Sequence, residues 1–228
     1  MEKEWIEPVE VEFDGKLKIY ERPLDGYKYI LGVDPAKGTG KNSSCIQVIK
    51  IISISPIKLE QVAVFKDNKT DPYVFSKLLN RLGIWYNTGL IMLENNGEGA
   101  AVIQHIWWTY EYQNLYNTGN KNKDLGIRAT QSTKTNAVLL MKKLIEEKMV
   151  KIVDYETIKQ LNVFIETDGG SFKGQDNMDD DLCSSLYWAL YAINLDIWDE
   201  NVNIVNQEND EIAWGILSDI DDSIEWNF

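Results

Sequence analysis

The sequence predicts an α/β domain with a mixed central sheet, its first three strands antiparallel, flanked by helices. Two observations carry that prediction. Three Val- and Ile-rich runs, Lys28 to Asp34, SSCIQVIKIIS and IKLEQVAVF, follow one another with only turn residues between them. After them, short apolar runs alternate with segments of helical periodicity.

Each element has its own signal. Lys28–Asp34 is apolar enough for an interior strand, and Pro35 with the glycines of AKGTG ends it. The next two runs are rich in β-branched residues and are joined by a Ser55-Pro56 turn signal. DPYVFSKLLNRLGIWY reads as an amphipathic helix capped by Asp71, with Pro72 at its first position. LIMLENNG is a short apolar strand stopping at Glu94, and GEGAAVIQHIWWTYEY follows as a helix. A polar linker around Tyr116 to Asp124 leads to an expected short strand, LGIRAT. A capped helix over TNAVLLMKKLIEEK, a strand over VKIVD and a helix over YETIKQLNVFI come next. IETDGGSFKG reads as a hairpin with Asp168-Gly169 at its turn. The last long helix is DDDLCSSLYWALYAINL, with Leu182, Leu186, Ala189, Leu190 and Ile193 on one face.

A chain of 228 residues can bury a sizeable core. Its two cysteines, Cys45 and Cys183, are far apart and form no metal-binding or redox motif, so a reducing interior setting is expected. No apolar run is long enough to span a bilayer, and the start lacks the order of a signal peptide. The net charge of -13 argues against a broadly basic nucleic-acid surface. Acids gathered at a metal site, and an acidic stretch from Asp196 onward, both contribute to that total.

The placement of the acids points to chemistry. Asp34 ends one interior strand, Glu94 ends another, and Asp179, Asp180 and Asp181 open the last helix. In α/β sheets the loops after strand ends are where sites form. Two hard divalent ions about 4 Å apart would activate a water and stabilise the leaving oxygen of a phosphodiester. Mg²⁺ and Mn²⁺ prefer carboxylate oxygen to nitrogen or sulfur. Without a cation, grouped carboxylates raise one another's pKa at a cost. Each acid also has a purely structural explanation: Asp34 as a turn former, Glu94 as part of a polar loop, the three aspartates as helix caps. Taken together, acids that end interior strands need a partner, which favours the metal site.

YILGVDPAKGTGKNSSCIQV, LIMLENNGEGAAVIQHI, TQSTKTNAVLLMKKLIEEKMVKI and DDDLCSSLYWAL, in that order, resemble the C-terminal nuclease domain of tailed-phage terminase large subunits. The resemblance runs from about Tyr27 to Asp196. It implies an RNase H-like fold, Mg²⁺ or Mn²⁺ as cofactor (two ions), and cleavage of double-stranded DNA during genome packaging. By position, Asp34, Glu94 and Asp181 correspond to the catalytic and metal-binding acids, and Asp180 to an auxiliary metal ligand. One ion would be shared by Asp34 and Asp181, the other by Asp34 and Glu94. Asp179 stands where the family's helix motif commonly has His, so the choice among the three aspartates stays open. The implied domain covers 1–199, leaving 200–228 as an acidic tail whose Trp214 and Trp226 suggest a docking segment. The implied partners are double-stranded DNA, the terminase ATPase domain, the portal and the small terminase subunit, in the cytoplasm of an infected bacterium.

Other features are weighed against that reading. Gly38-Thr39-Gly40-Lys41 is not a P-loop, because Pro35 stands at the first Gly position and Asn42 replaces Ser or Thr. The packaging ATPase is therefore expected to be absent, making the chain an excised domain or a stand-alone nuclease. Lys37, Lys41, Arg128, Lys134 and Lys173 are expected in loops near the strand ends, as phosphate contacts or as ordinary solvated cations. His105 reads as a packing or surface residue. Another RNase H-like nuclease, such as a junction resolvase or ribonuclease H, and a non-catalytic interaction module remain the alternatives.

Overall fold

The computed structural model describes residues 5–118, 125–167, 169–175 and 178–195. Its principal sheet has the order β1-β2-β5-β4-β3-β6. The strands are β1 (Glu10–Glu12), β2 (Leu17–Ile19), β3 (Lys28–Asp34), β4 (Ser44–Ile54), β5 (Ile57–Asp67) and β6 (Leu90–Leu93). β3, β4 and β5 pair antiparallel, as expected, whereas β6 joins β3 in parallel. β7 (Val150–Lys151) runs parallel to β5 and covers only the first two residues of the predicted VKIVD strand. A separate hairpin pairs β8 (Phe164–Glu166) with β9 (Phe172–Gly174); of its expected turn residues, Asp168 lies outside the described residues.

Helices cover both faces. α1 (Pro72–Trp85) opens with the Asp71 carboxylate accepting from the Tyr73 backbone N–H, the cap its sequence announced. α1 and α2 (Glu98–Gln104) enclose a core with Leu31, Val33, Val48, Ile91 and Leu93. α3 (Gln131–Glu146) and α5 (Asp181–Tyr191) enclose the other, with Ile30, Ile49 and Met92. The short α4 (Tyr155–Leu161) packs beside α5.

Three expectations need correction, the first being the helix over YETIKQLNVFI, which stops at Leu161 and gives Phe164 and Ile165 to β8. The long helix over GEGAAVIQHIWWTYEY is α2 followed by one wider turn, His105–Thr109, that keeps Ile106 buried while Trp108 faces solvent. LGIRAT is not a strand: Leu125, Gly126 and Ile127 make only isolated bridges to the ends of neighbouring segments. The N-terminal strands β1 and β2 had no clear sequence signal, being three residues each with charged residues among them. The acidic tail, with Trp214 and Trp226, lies outside the described residues.

Strand periodicity decides which acids meet. Side chains alternate between faces, so residues two apart along a strand share one. Ile30 belongs to the α3/α5 core while Leu31 and Val33 belong to the other, so Gly32 and Asp34 follow Ile30 toward α5. By the same count Leu90 and Met92 put Glu94 on that face. The parallel register pairs Val33 with Leu93, which makes Asp34 and Glu94 lateral neighbours. Gly32 then sets how closely the helix lies. A methyl group there would come within 2.0 Å of the Ser185 carbonyl oxygen and 2.5 Å of the Ala189 nitrogen. Only a residue without a Cβ lets α5 rest on β3 just before Asp34.

Candidate metal centre

Asp34, Glu94 and the N-terminus of α5 form one acidic corner. The loop leaving Asp34 is fastened back to β4: the Ser44 hydroxyl accepts from the Ala36 N–H at 2.9 Å. The adjacent Ser43 N–H donates to Asp181 Oδ2 at 2.9 Å, tying that carboxylate to the same loop. Glu94 Oε2 lies 3.2 Å from Lys134 Nζ, and its Oε1 accepts from the Asn96 amide at 2.7 Å.

The electrostatics link the three acids. Burial first, then the Asp181 and Glu94 carboxylates, push the Asp34 carboxyl up to about 8, with Lys134 opposing. Burial raises Asp181 as well, with Asp179 and Asp180 adding to it and the Ser43 N–H and Lys66 working against it. Asp34 therefore sits in a negative potential that one lysine does not cancel. A divalent cation would relieve it.

The aspartates at the start of α5 separate by role. Asp180 occupies the cap position yet makes no capping bond to its own helix; its Oδ2 accepts from the Gly174 N–H of the hairpin at 3.0 Å. Asp179 pairs with Lys66 at 3.2 Å. Asp181 is the one whose charge is felt at Asp34 immediately after burial. The purely structural explanation, three caps for one helix dipole, does not describe them.

The donor set is made of hard oxygens. Cys45 and Cys183 are buried thiols held well above their ordinary pKa by that burial. His105, the sole histidine, packs against the Tyr73 ring at 5.0 Å from α1's side of the sheet. Carboxylates alone suit Mg²⁺ or Mn²⁺. Among the described residues, no three acid, histidine or cysteine side chains stand tightly enough together to hold an ion as they are. Glu94 and Asp181 are instead turned to Lys134 and Ser43. The site fits a divalent ion by chemistry and potential, and holding one would require Glu94 to leave Lys134.

The expected cations are distributed differently from the sequence picture. Lys134 belongs to α3 and Lys173 to β9, not to loops. Lys134 meets Glu94 directly, and it lines a small pocket with Gln131, Phe164, Phe172, Ser184 and Tyr187. Lys37 pairs with Glu98 at 3.4 Å, while Lys41, Arg128 and Lys173 are exposed. Sequence reasoning missed Lys66 and Ser43. Lys66 near the end of β5 carried a usable signal, since β5 lies beside β4 and ends level with its start.

Comparison with known proteins bears on this geometry. Residues 31–192 match the family described as the Terminase RNaseH-like domain, which spans most of the chain. The chain belongs to that family. The nuclease of the large terminase from thermophilic phage G20c, solved with bound magnesium, aligns with a TM-score of 0.64 at 18% identity. That alignment covers 82% of this chain and 91% of the other. The same nuclease with bound cobalt gives a TM-score of 0.63 at 17% identity, covering 82% and 91%. The large terminase nuclease domain of Thermus phage P74-26 gives 0.61 at 17% identity, covering 81% and 88%. No curated protein matches the sequence. The terminase RNase H-like domain seen here thus has the fold its residues implied, with the acidic corner on the α5 face of the sheet.

Proposed function

We propose that this terminase RNase H-like domain is a Mg²⁺- or Mn²⁺-dependent endonuclease that cuts double-stranded DNA during phage genome packaging. The observation that carries the proposal is the shared field of Asp34, Glu94 and Asp181, which lifts Asp34 to about 8 in the absence of a cation. A polar corner that costs this much without a metal is suited to binding one. The magnesium and cobalt bound by the G20c nuclease support the same choice of ion class.

In this reading Asp34, Glu94 and Asp181 hold two divalent ions, with Asp180 available as an auxiliary ligand. Bound there, the ions would supply an activated water and charge neutralisation at the scissile phosphate. The chain's own groups do the rest. Asp34, at the end of a buried strand, lies within the field of both other acids. The Ser43 N–H orients Asp181 through Oδ2, leaving Oδ1 for the ion. Lys134 pairs with Glu94 and, if freed from it, would be placed to meet the DNA backbone. Lys37, Lys41, Arg128 and Lys173 would make further phosphate contacts. Asp180 anchors the β8–β9 hairpin through Gly174.

No helix among the described residues is long and apolar enough to cross a membrane. A nuclease of a packaging motor would act in the cytoplasm of the infected host, beside the terminase ATPase domain, the portal and the small terminase subunit. The test is incubation with supercoiled plasmid and, separately, an RNA–DNA hybrid, in Mn²⁺ or in EDTA. Nicked and linear plasmid in Mn²⁺ alone is expected. Preference for the hybrid would make the chain a ribonuclease H instead, and cutting of neither would remove the enzymatic reading.

A further inference from the structure

The first turn of α5 carries Asp181, yet no side chain of its own chain segment caps it. A capping side chain normally accepts from the second or third backbone N–H of a helix. Here the second is that of Leu182, and its partner comes from another helix: Gln160 Oε1, at the end of α4, accepts it at 2.9 Å. Leu182 is held from its other side as well, because the Gln47 amide of β4 donates to its carbonyl oxygen at 3.4 Å.

Behind this grip lies a buried polar network whose orientation is forced. Gln61 Oε1 accepts from both the Val153 and the Asp154 backbone N–H, at 2.8 and 2.7 Å, so its amide nitrogen must face the other way. That nitrogen donates to Gln47 Oε1 at 2.6 Å and to the Thr157 hydroxyl at 3.3 Å. Gln47 is thereby obliged to turn its own nitrogen to Thr157, at 3.0 Å, and to Leu182. Thr157 in turn donates to Asp154 Oδ2 at 2.8 Å, and Tyr20 donates to Oδ1 at 2.6 Å. Gln47, Gln61, Asp154 and Thr157 are each no more than 1% exposed. A network with every partner matched is rigid, and it ends on the residue next to Asp181.

We propose that Gln160, backed by Gln47, is a positioning residue for the Asp181 carboxylate. It caps α5 from outside, which frees Asp180 to hold the hairpin and fixes the helix turn that carries Asp181. The proposal rests on the nuclease reading above. Groups that orient metal-binding side chains change metal affinity or activity by about ten- to a hundredfold when removed.

Gln160→Asn keeps the amide but withdraws it by one methylene, out of reach of Leu182. Gln160→Glu keeps an acceptor oxygen at full reach and adds charge favourable to a helix start. Leu79→Ala, in the core on the opposite face, serves as the control for lost stability alone. Four readouts are taken: Mn²⁺ affinity by electron paramagnetic resonance, kcat and KM on plasmid, thermal midpoint, and amide hydrogen exchange along α5. For Gln160→Asn we expect Mn²⁺ affinity and kcat to fall about tenfold or more. KM for DNA should stay within about twofold, and exchange should quicken only over Asp181 to Ser184. Gln160→Glu should restore most of both losses, and Leu79→Ala should show neither. The positioning role fails if Gln160→Asn binds and cuts as wild type does, if Gln160→Glu does no better than Gln160→Asn, or if Leu79→Ala loses as much. Wild-type protein that neither binds Mn²⁺ nor cuts DNA defeats the nuclease reading, and the positioning role with it.

Discussion

Two polar clusters lie on the same face of the sheet under α5, and they are built on opposite terms. In the glutamine cluster every buried donor faces an acceptor, from Asp154 through Thr157 and Gln61 to Gln47. In the acidic corner three carboxylates lie in one another's field, opposed by Lys134 at Asp34 and by Lys66 at Asp181. Burial penalises both unless it is compensated, and only the first compensates itself with the chain's own atoms. The second leaves its compensation to something the chain must bind. Adjacent clusters, one sealed from solvent and one half-buried, thus divide the work, the first fixing the frame and the second storing unbalanced charge at the site.

Separating stability from activity sharpens that contrast. Asp34→Asn should lower plasmid cleavage by about a thousandfold or more, since a bound ion supplies several kcal/mol of charge stabilisation. In EDTA the same substitution should raise the thermal midpoint, because it removes a carboxylate from a field of like charge. A lowered midpoint with full cutting would reverse the assignment of the two clusters. Gln61→Leu tests the other side. It strands the Val153 and Asp154 N–H groups without an acceptor, and each such loss costs about 1–3 kcal/mol. Urea unfolding should register the sum. A loss under about half a kcal/mol would mean the network is not the frame described here.

A separate effect should appear with pH. Asp34 is raised in the folded state from an ordinary value near 4 to about 8. Below pH 4 it is protonated both folded and unfolded, so nothing is lost. Between pH 4 and 8 the unfolded chain ionises while the folded one keeps its proton, so stability falls as pH rises, and it levels off above 8. Asp181 is shifted in the same direction and adds to the slope. Melting curves in EDTA across this range should show the decline, Asp34→Asn should flatten it, and Mn²⁺ should reverse it. A metal-free protein whose stability rises over that range would contradict the acidic corner.

The two clusters also differed in how far the sequence disclosed them. Asp34 and Glu94 were legible because each ends an apolar run, and strand alternation with a parallel register then makes them neighbours. Asp71 was legible as a cap because Pro72 follows it. The glutamine cluster was not: its members come from β4, β5 and α4, and pairing between such distant segments leaves no local pattern. The available hint was a lone amide within each of two β-branched runs, IQVI and EQVAV, at positions that alternation places inside. The three aspartates could not be ranked from sequence because helix phase and loop contacts, not composition, separate them: Asp179 goes to Lys66, Asp180 to Gly174 and Asp181 to Ser43. LGIRAT looked like a strand because its apolar residues are buried, although only isolated bridges hold them.

The most direct test of the central claim is anomalous diffraction from crystals of this chain grown with Mn²⁺. The account predicts two peaks at the acidic corner, one about 2.1–2.2 Å from oxygens of Asp34 and Asp181 and the other equally close to oxygens of Asp34 and Glu94, near the Mg²⁺ distance. It also predicts that Lys134 has moved off Glu94. Manganese bound elsewhere on the surface, or a corner still closed by the Lys134–Glu94 pair at saturating Mn²⁺, would contradict it.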